Sequence, residues 1–431
     1  MIIGFSVRNF RSFLTEQSLS FKASSDDSHE ATHCVATHIG AVPRLTRTAA
    51  IFGPNGSGKS NLLLALRTMR EIVLHSPSYG ETELSDYYAP FHSGASRGSP
   101  TTFSIDLLLE RTRYRYGFSY DATRIVGEQL WVYGSHKSQR WFGRQFDPVM
   151  GTEAWMPFSS KFCGPREMWR KSTKPQSLFL SPASRLAAGQ LRPLMHWFEH
   201  QLDIVLSSDM AHPNALARRL HDDVFKANFL AILRAADFPV ADVRVIEGES
   251  SARAARAPPR VADARPSIEF MYAHPGMPPV WLDSTRDSSG TQRLVALLIP
   301  LLDGLEKDRF VAIDEFDAHL HPVIARFLVQ VINDSTATHR RVQVLLVTHN
   351  TTLMDLDILR RDELWLMETD KTHASRLTAL IEQGPRRHEL VAKTYIRGRY
   401  GGIPKVDFDQ YHLTLAARQQ ALPADKQKKT S

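Results

Sequence analysis

Cysteine is nearly absent: the 431 residues hold two, Cys34 and Cys163. Two thiols cannot build a metal cluster unaided. A disulfide between them is disfavoured in a reducing compartment, so both read as packed thiols. No apolar run reaches the roughly 18 residues that a membrane-spanning helix needs, so no membrane contact is expected. The first residues, Met1-Ile2-Ile3-Gly4-Phe5-Ser6-Val7-Arg8, lack a basic segment followed by an apolar one. They read as a strand rather than a secretion signal. Internal repeats and sustained heptads are also missing. Neither sign of charge dominates: 53 Lys and Arg stand against 46 Asp and Glu, a net +7. That balance permits a local patch for nucleic acid or phosphate without demanding one. With 42% apolar and 23% charged residues, the profile is that expected of a soluble, cytoplasmic globular protein. The length suffices for roughly two or three domains.

What is present is organised around Gly53-Pro54-Asn55-Gly56-Ser57-Gly58-Lys59-Ser60. It follows the apolar run Ala49-Ala50-Ile51-Phe52 and opens onto Asn61-Leu62-Leu63-Leu64-Ala65-Leu66. Strand, glycine loop and helix is the context in which G-x-x-x-x-G-K-S binds phosphate. The glycines let successive N–H groups turn inward, and the helix start adds its positive dipole end. Lys59 is expected to neutralise β- and γ-phosphates, and the Ser60 hydroxyl to ligate Mg²⁺.

Around this loop the chain reads as follows. Ile2–Val7 is a strand and Ser18–Phe21 a second one beside it; 23–47 reads as irregular loop. Phe103, Ile105, Leu107 and Leu109 alternate with Ser104, Asp106 and Leu108, and Tyr114, Tyr116, Phe118 and Tyr120 with Arg113, Arg115, Gly117 and Ser119. Two such runs separated by Glu110-Arg111-Thr112 predict a β-hairpin, extended by Gln129–Tyr133. Leu191–Leu206 and Val224–Ala236 read as helices. The stretch 247–265 carries Arg253, Arg256, Arg260 and Arg265 among small and polar residues, and reads as a flexible loop, either solvated or touching phosphate. Ser267–Tyr272 is a further strand, and the tail beyond Gln419 is polar.

Three later motifs supply chemistry. Phe310-Val311-Ala312-Ile313 is an apolar strand ending in Asp314-Glu315. Asp314 is placed to hold Mg²⁺ through water, and Glu315 to activate the attacking water as general base. Val342–Val347 is another apolar strand, ending in Thr348-His349, 34 residues after Glu315. That spacing fits one β-α-β crossover, and His349 would sense the γ-phosphate and hold water. Asp287-Ser288-Ser289-Gly290-Thr291-Gln292 precedes the apolar stretch Leu294–Leu305. A Ser/Gly turn opening a helix is either an N-cap or a phosphate site. Asp355-Leu356-Asp357 reads as the start of a helix.

In this order the four motifs resemble the ATP-binding-cassette superfamily, specifically its soluble SMC-like and OLD-like ATPases. The resemblance spans residues 1–76 and about 280–370. It implies an α/β fold: a P-loop NTPase head of ABC type with an antiparallel β subdomain and an α-rich insertion. It implies ATP with Mg²⁺ as ligands, held by Gly53, Pro54, Asn55, Gly56, Ser57, Gly58, Lys59, Ser60 and Asn61, with Asp314 and Ser60 at the metal and Lys59, Glu315 and His349 catalytic. The turn Asn9-Phe10-Arg11-Ser12 is similar to the family's first-strand turn, which makes Arg11 a nucleotide contact. The family's L-S-G-G-Q signature falls on Ser288–Gln292, with Ser and Thr replacing Leu and the second Gly; Ser289 and Gly290 would act in trans on a second copy. Phe316–Pro322 looks like the D-loop, with His321 at the usual Asp position. There is no long coiled coil for SMC-type arms, and no convincing Toprim nuclease set after His349. The implied organisation is a discontinuous head (1–160 and 266–412), an insertion (161–265) and a polar tail (413–431).

The segments Arg360–Glu368 and Tyr395–Pro404 are similar to stretches of small bacterial ATPases encoded beside a nuclease-like protein in anti-phage systems, one of them the PARIS type. The implied function is an ATP-hydrolysing switch that assembles with itself around ATP and controls a separate effector protein. The alternative is an ATPase that clamps DNA in repair or recombination. A transporter subunit is disfavoured by the antiparallel segment and the insertion.

Overall fold

The computed structural model describes residues 1–80, 82–134, 137–186, 189–209, 213–246, 266–273, 276–333, 341–387, 389–404, 408–409 and 411–412. The arginine-bearing loop and the polar tail expected from the sequence therefore lie outside the described residues.

The P-loop strand, Thr48–Phe52, is buried at every position, as a strand covered on both faces must be. It sits inside a six-stranded sheet. The order is Leu202–Val205, Phe310–Ile313, Gln343–Val347, Thr48–Phe52, Leu364–Thr369 and Ser375–Ala379. The first five run parallel, and the last pairs antiparallel to its neighbour. The strand leading to Thr348-His349 thus lies between the P-loop strand and the strand leading to Asp314-Glu315. Alternation across this sheet separates two cores. Ala49 and Ile51 face the P-loop helix, Lys59–His75. Ala50, Phe52, Val311 and Ile313 face three other helices, Asp223–Ala235, Ser289–Lys307 and Pro322–Ile332.

The P-loop helix is covered on its far side by a seven-stranded antiparallel sheet, ordered Thr152–Trp155, Ser138–Asp147, Ile125–Tyr133, Thr112–Tyr120, Thr101–Leu109, Ile2–Arg8 and Gln17–Ser20. The expected hairpin is there, in register from Thr101 opposite Tyr120 to Leu109 opposite Thr112. Gln343 ties the two sheets together. Its side-chain amide accepts from the Ile2 N–H at 2.7 Å and donates to the carbonyls of Ile2 and Thr46. A buried carboxylate, Glu128, accepts from Tyr116, Arg144 and the N–H groups of Phe179 and Leu180, which docks the helix Leu180–Arg185 onto the sheet.

Several expectations differ from the structure. Residues 23–47 are not irregular: a short helix, Glu30–His33, leads into a hairpin of Cys34–Ile39 and Val42–Thr46. Only Val42 and Leu45 bury large apolar side chains there, too few to leave a readable period. Cys163 is exposed rather than packed. Leu191–Leu206 does not stay helical. The helix Arg192–His196 loosens into a π-type turn over Trp197–Gln201, and Leu202–Val205 joins the central sheet as an edge strand. Within the segment expected as an α-rich insertion, Val240–Ile246 forms a separate three-stranded sheet with Ser267–Tyr272 and Val280–Asp283. Asp355-Leu356-Asp357 opens no helix, because the Asp355 carboxylate accepts the Asp357 N–H and closes a turn. No helix among the described residues is long and apolar enough to cross a membrane.

Candidate functional site

The P-loop leaves its strand at Gly53 and enters its helix at Gly58, and both glycines are required by close approach. A Cβ on Gly53 would run into the Met367 carbonyl. One on Gly58, where φ is +101°, would run into the Ser375 and Ser12 hydroxyls. Those hydroxyls form a seam around the loop. Ser375 Oγ donates to the Ser57 carbonyl at 2.6 Å and lies 2.7 Å from Ser12 Oγ, which accepts from Asn61 Nδ2 at 2.8 Å. Asn61 therefore positions the loop against the N-terminal turn. That turn holds Arg11, exposed and left-handed at φ 50°, with its N–H bound to the Ala89 carbonyl. Asn9, also left-handed, fixes the turn by donating to the carbonyls of Ser96 and Ser99.

Lys59 is buried at the base of the loop, its ammonium on the carbonyls of Gly53 (2.8 Å) and Pro54 (2.9 Å). Burial lowers it to about 8, against the opposing pull of Asp314, Glu315 and Asp317. Ser60 is exposed, as are Asn55 and Gly56.

Asp314 is buried at the end of its strand, with its N–H on the Val205 carbonyl of the edge strand. Glu315 is exposed and left-handed at φ 47°, an uncommon backbone for a residue with a side chain. Arg293 Nη2 bridges the carbonyls of Asp314 (2.8 Å) and Glu315 (2.7 Å). His349 is exposed at the end of the neighbouring strand. The part of its ring that is shielded from water, then the charge of Lys59, hold it below its ordinary value, while Asp317, Glu315 and Asp314 act the other way. Lys59, Asp314, Glu315, Asp317 and His349 thus follow the ends of three adjacent parallel strands and feel one another's charge at the carboxyl edge, where open α/β sheets bind ligands. An open cleft of about 1300 Å³ begins there, lined by Gly53, Pro54, Asn55, His349, Lys371 and Tyr395 among others.

Ser288 is the N-cap of the helix Ser289–Lys307, accepting the Thr291 N–H at 3.2 Å. Gly290 packs so that a Cβ would lie 3.0 Å from the His319 carbonyl. Among the described residues no hydrogen bond joins Ser289 or Gly290 to the P-loop of the same chain. His321, at the D-loop position, caps the helix Pro322–Ile332 through Nδ1.

The residues fit a triphosphate with a divalent ion. The Ser57 hydroxyl is buried with no hydrogen-bond partner, and Lys59 rests on carbonyls that phosphate oxygens can replace. Among the described residues no group of three or more His, Cys, Asp or Glu could hold a metal on its own. An ion at Ser60 and Asp314 would therefore take part of its shell from phosphate and water, as Mg²⁺ does. Sequence reasoning passed over Ser12, Ser375, Arg293 and Asp317. Arg293 directly follows the signature Gln292 and Asp317 follows Glu315 by two, so position gave a cue for these; Ser375 had none.

The fold and the glycine loop define a domain of the P-loop ATPase class. The chain belongs to the family described as "AAA domain, putative AbiEii toxin, Type IV TA system", which matches residues 48–355. Among solved structures, it is similar to an SMC head bound to the C-winged helix domain of ScpA, with 14% identity, 88% of this chain and 96% of that one covered, and a TM-score of 0.46. The SMC head domain from Thermotoga maritima gives 14% identity, coverage of 88% and 98%, and a TM-score of 0.40. An SMC head with an extended coiled coil, bound to the C-terminal domain of ScpA and derived from Pyrococcus furiosus, gives 14%, 88% and 97%, and 0.43. No curated protein matches.

Proposed function

We propose that the chain binds and hydrolyses ATP as a switch: two copies close around ATP, and hydrolysis releases a separate effector protein, a nuclease or toxin, in anti-phage defence. The observation that carries this reading is that the adjacent parallel strands bring Lys59, Asp314, Glu315 and His349 to one sheet edge beside the glycine loop. Lys59 exchanges its carbonyl partners for β- and γ-phosphate oxygens. The loop N–H groups of Asn55–Ser60 cradle the same phosphates, Arg11 approaches the nucleotide from the N-terminal turn, and Ser60 and Asp314 hold Mg²⁺. When bound, that ion supplies charge neutralisation across the phosphates. Glu315 takes the proton of a water whose oxygen bonds to the γ-phosphorus as the bond to the ADP oxygen breaks. His349, kept neutral near pH 7, orients that water by hydrogen bonding. Ser289 and Gly290 of one copy close over the P-loop of the other. Positioning and charge stabilisation account for most of the rate gain.

The family description, a putative toxin of a type IV TA system, supports a defence setting with a second component. We assign the head to 1–160 and 266–412, the insertion to 161–265 and the tail to 413–431. The second reading, a DNA clamp, is compatible with the net charge of +7.

Native mass spectrometry of Glu315→Gln, co-expressed with its genomic neighbour, tests the proposal. Hydrolysis is expected to fall by about 10²-fold or more. A pair of copies is expected only with ATP and Mg²⁺, carrying the neighbour's product. ATP-dependent pairing without that product, together with duplex DNA binding that weakens steeply with salt, would favour the clamp. An oligomer indifferent to ATP would remove the trans role of Ser289 and Gly290.

A further inference from the structure

The turn after Asp314-Glu315 and the turn after the Val347 strand end belong to adjacent parallel strands, and one carboxylate joins them. Asp317 Oδ1 accepts two hydrogen bonds, from Thr348 Oγ1 at 2.5 Å and from the His349 N–H at 3.2 Å. The Thr348 side chain is fully buried, so its hydroxyl has no water to turn to. Backbone bonds run alongside: the Phe316 N–H reaches the Val347 carbonyl at 2.9 Å, and the Ala318 and Leu320 N–H groups close the turn on Glu315 and Asp317. Glu315 sits inside this turn with its left-handed backbone. A strained residue keeps such a conformation only when its surroundings over-determine it. Arg293 grips the turn from one side, through the carbonyls of Asp314 and Glu315. Asp317 grips it from the other and is the side chain that reaches the His349 backbone.

We propose that Asp317 is a positioning residue, which holds the Thr348-His349 turn in register with the Glu315 turn so that the general base and the water-orienting imidazole keep one spacing. This rests on the ATPase reading above. Both bonds fall on one carboxylate oxygen, the hydroxyl bond being the short one, and a shift of about 1 Å between catalytic groups costs up to about 10²-fold in rate. Asp317 touches neither water nor phosphate in this role. Its effect is carried by the two turns.

Full-length wild type, Asp317→Ala, Asp317→Asn and Thr348→Val are to be compared by steady-state ATP turnover, hydrogen–deuterium exchange over residues 345–350 and thermal unfolding. Asp317→Ala is expected to lower kcat by about tenfold to a hundredfold with KM changed by no more than about twofold, and to speed exchange at the His349 amide. Asp317→Asn keeps an accepting oxygen and is expected to recover turnover to within about fivefold of wild type. Thr348→Val, which removes one of the two bonds, falls between them and carries the test where Asp317→Ala fails to fold. Wild-type kcat in Asp317→Ala would overturn the proposal. Unchanged exchange at His349 would also overturn it, and that readout stands even where wild type proves to have no ATPase activity, which would sink the functional reading instead.

Discussion

Lys59 is a site residue whose chemistry its surroundings alter strongly. Burial holds its ammonium at about 8, well below the unfolded value of 10.5. The charged form is thus disfavoured in the fold: below about pH 8 Lys59 weakens stability, and that cost disappears as pH rises towards 10.5. Only the charged form meets phosphate. ATP affinity of the free protein is therefore expected to hold below about pH 8 and decline as pH passes through it, as isothermal calorimetry between pH 7 and 9 would register. Lys59→Met is expected to lose about tenfold to a hundredfold in affinity and to lack that decline. An affinity flat across pH 8 in wild type would contradict the role of Lys59. The identity of this lysine is readable from eight consecutive letters. Its lowered pKa is not, because burial comes from the sheet and the three opposing carboxylates come from residues 314–317.

At the scale of elements, the helix Ser289–Lys307 separates two roles that the sequence leaves merged. Ser288 is the N-cap, so Ser288→Ala is expected to cost about 1 kcal/mol in urea unfolding. Ser289 is exposed, and Ser289→Ala is expected to stay within about 0.5 kcal/mol of wild type while abolishing ATP-dependent pairing. A Ser289→Ala protein that still pairs with ATP would place the second copy's contact elsewhere. The strands and helices around the site were legible because the strands are apolar runs buried on both faces and the helices bury a regular stripe. The hairpin of Cys34–Ile39 and Val42–Thr46 and the edge strand Leu202–Val205 were not. The first buries too few large residues, and the second is four residues long at the end of a helical run, where only pairing to Phe310–Ile313 defines it.

The whole molecule is closed beneath the P-loop strand by charged groups brought together from opposite ends of the chain. Asp26 accepts from Ser28 and from both Nε and Nη2 of Arg361. Asp362 accepts from Ser24 and Arg360, and His33 lies 2.7 Å from Glu363. Burial alone would raise the Asp26 carboxyl, but the bonds from Ser28 and Arg361 outweigh it and bring the group down to about 2 from 3.8. A carboxylate lowered in the fold stabilises it above the unfolded value, and that contribution is lost as pH falls through the folded one. Asp26→Asn is therefore expected to unfold at lower urea than wild type at pH 7, with the gap closing between about pH 4 and 2. A gap independent of pH would show that the charge of Asp26 does not stabilise the fold.

Local order in the sequence was enough to settle the P-loop, its strand and helix, the acid-ended and histidine-ended strands, and the β-hairpin. Each of these is specified by neighbours within one turn or one strand: glycines where a Cβ cannot fit, a period of two where one face is buried, apolar runs where both are. The tertiary structure alone decided which strand lies beside which, the seam of Ser12, Ser57 and Ser375, the grip of Arg293 and Asp317 on the turns of Glu315 and His349, and the pairing of residues 24–33 with 360–363. Those contacts join positions tens to hundreds of residues apart. Such residues leave no period and no motif, because what selects them is the space and the unpaired polar group that the packed sheets create.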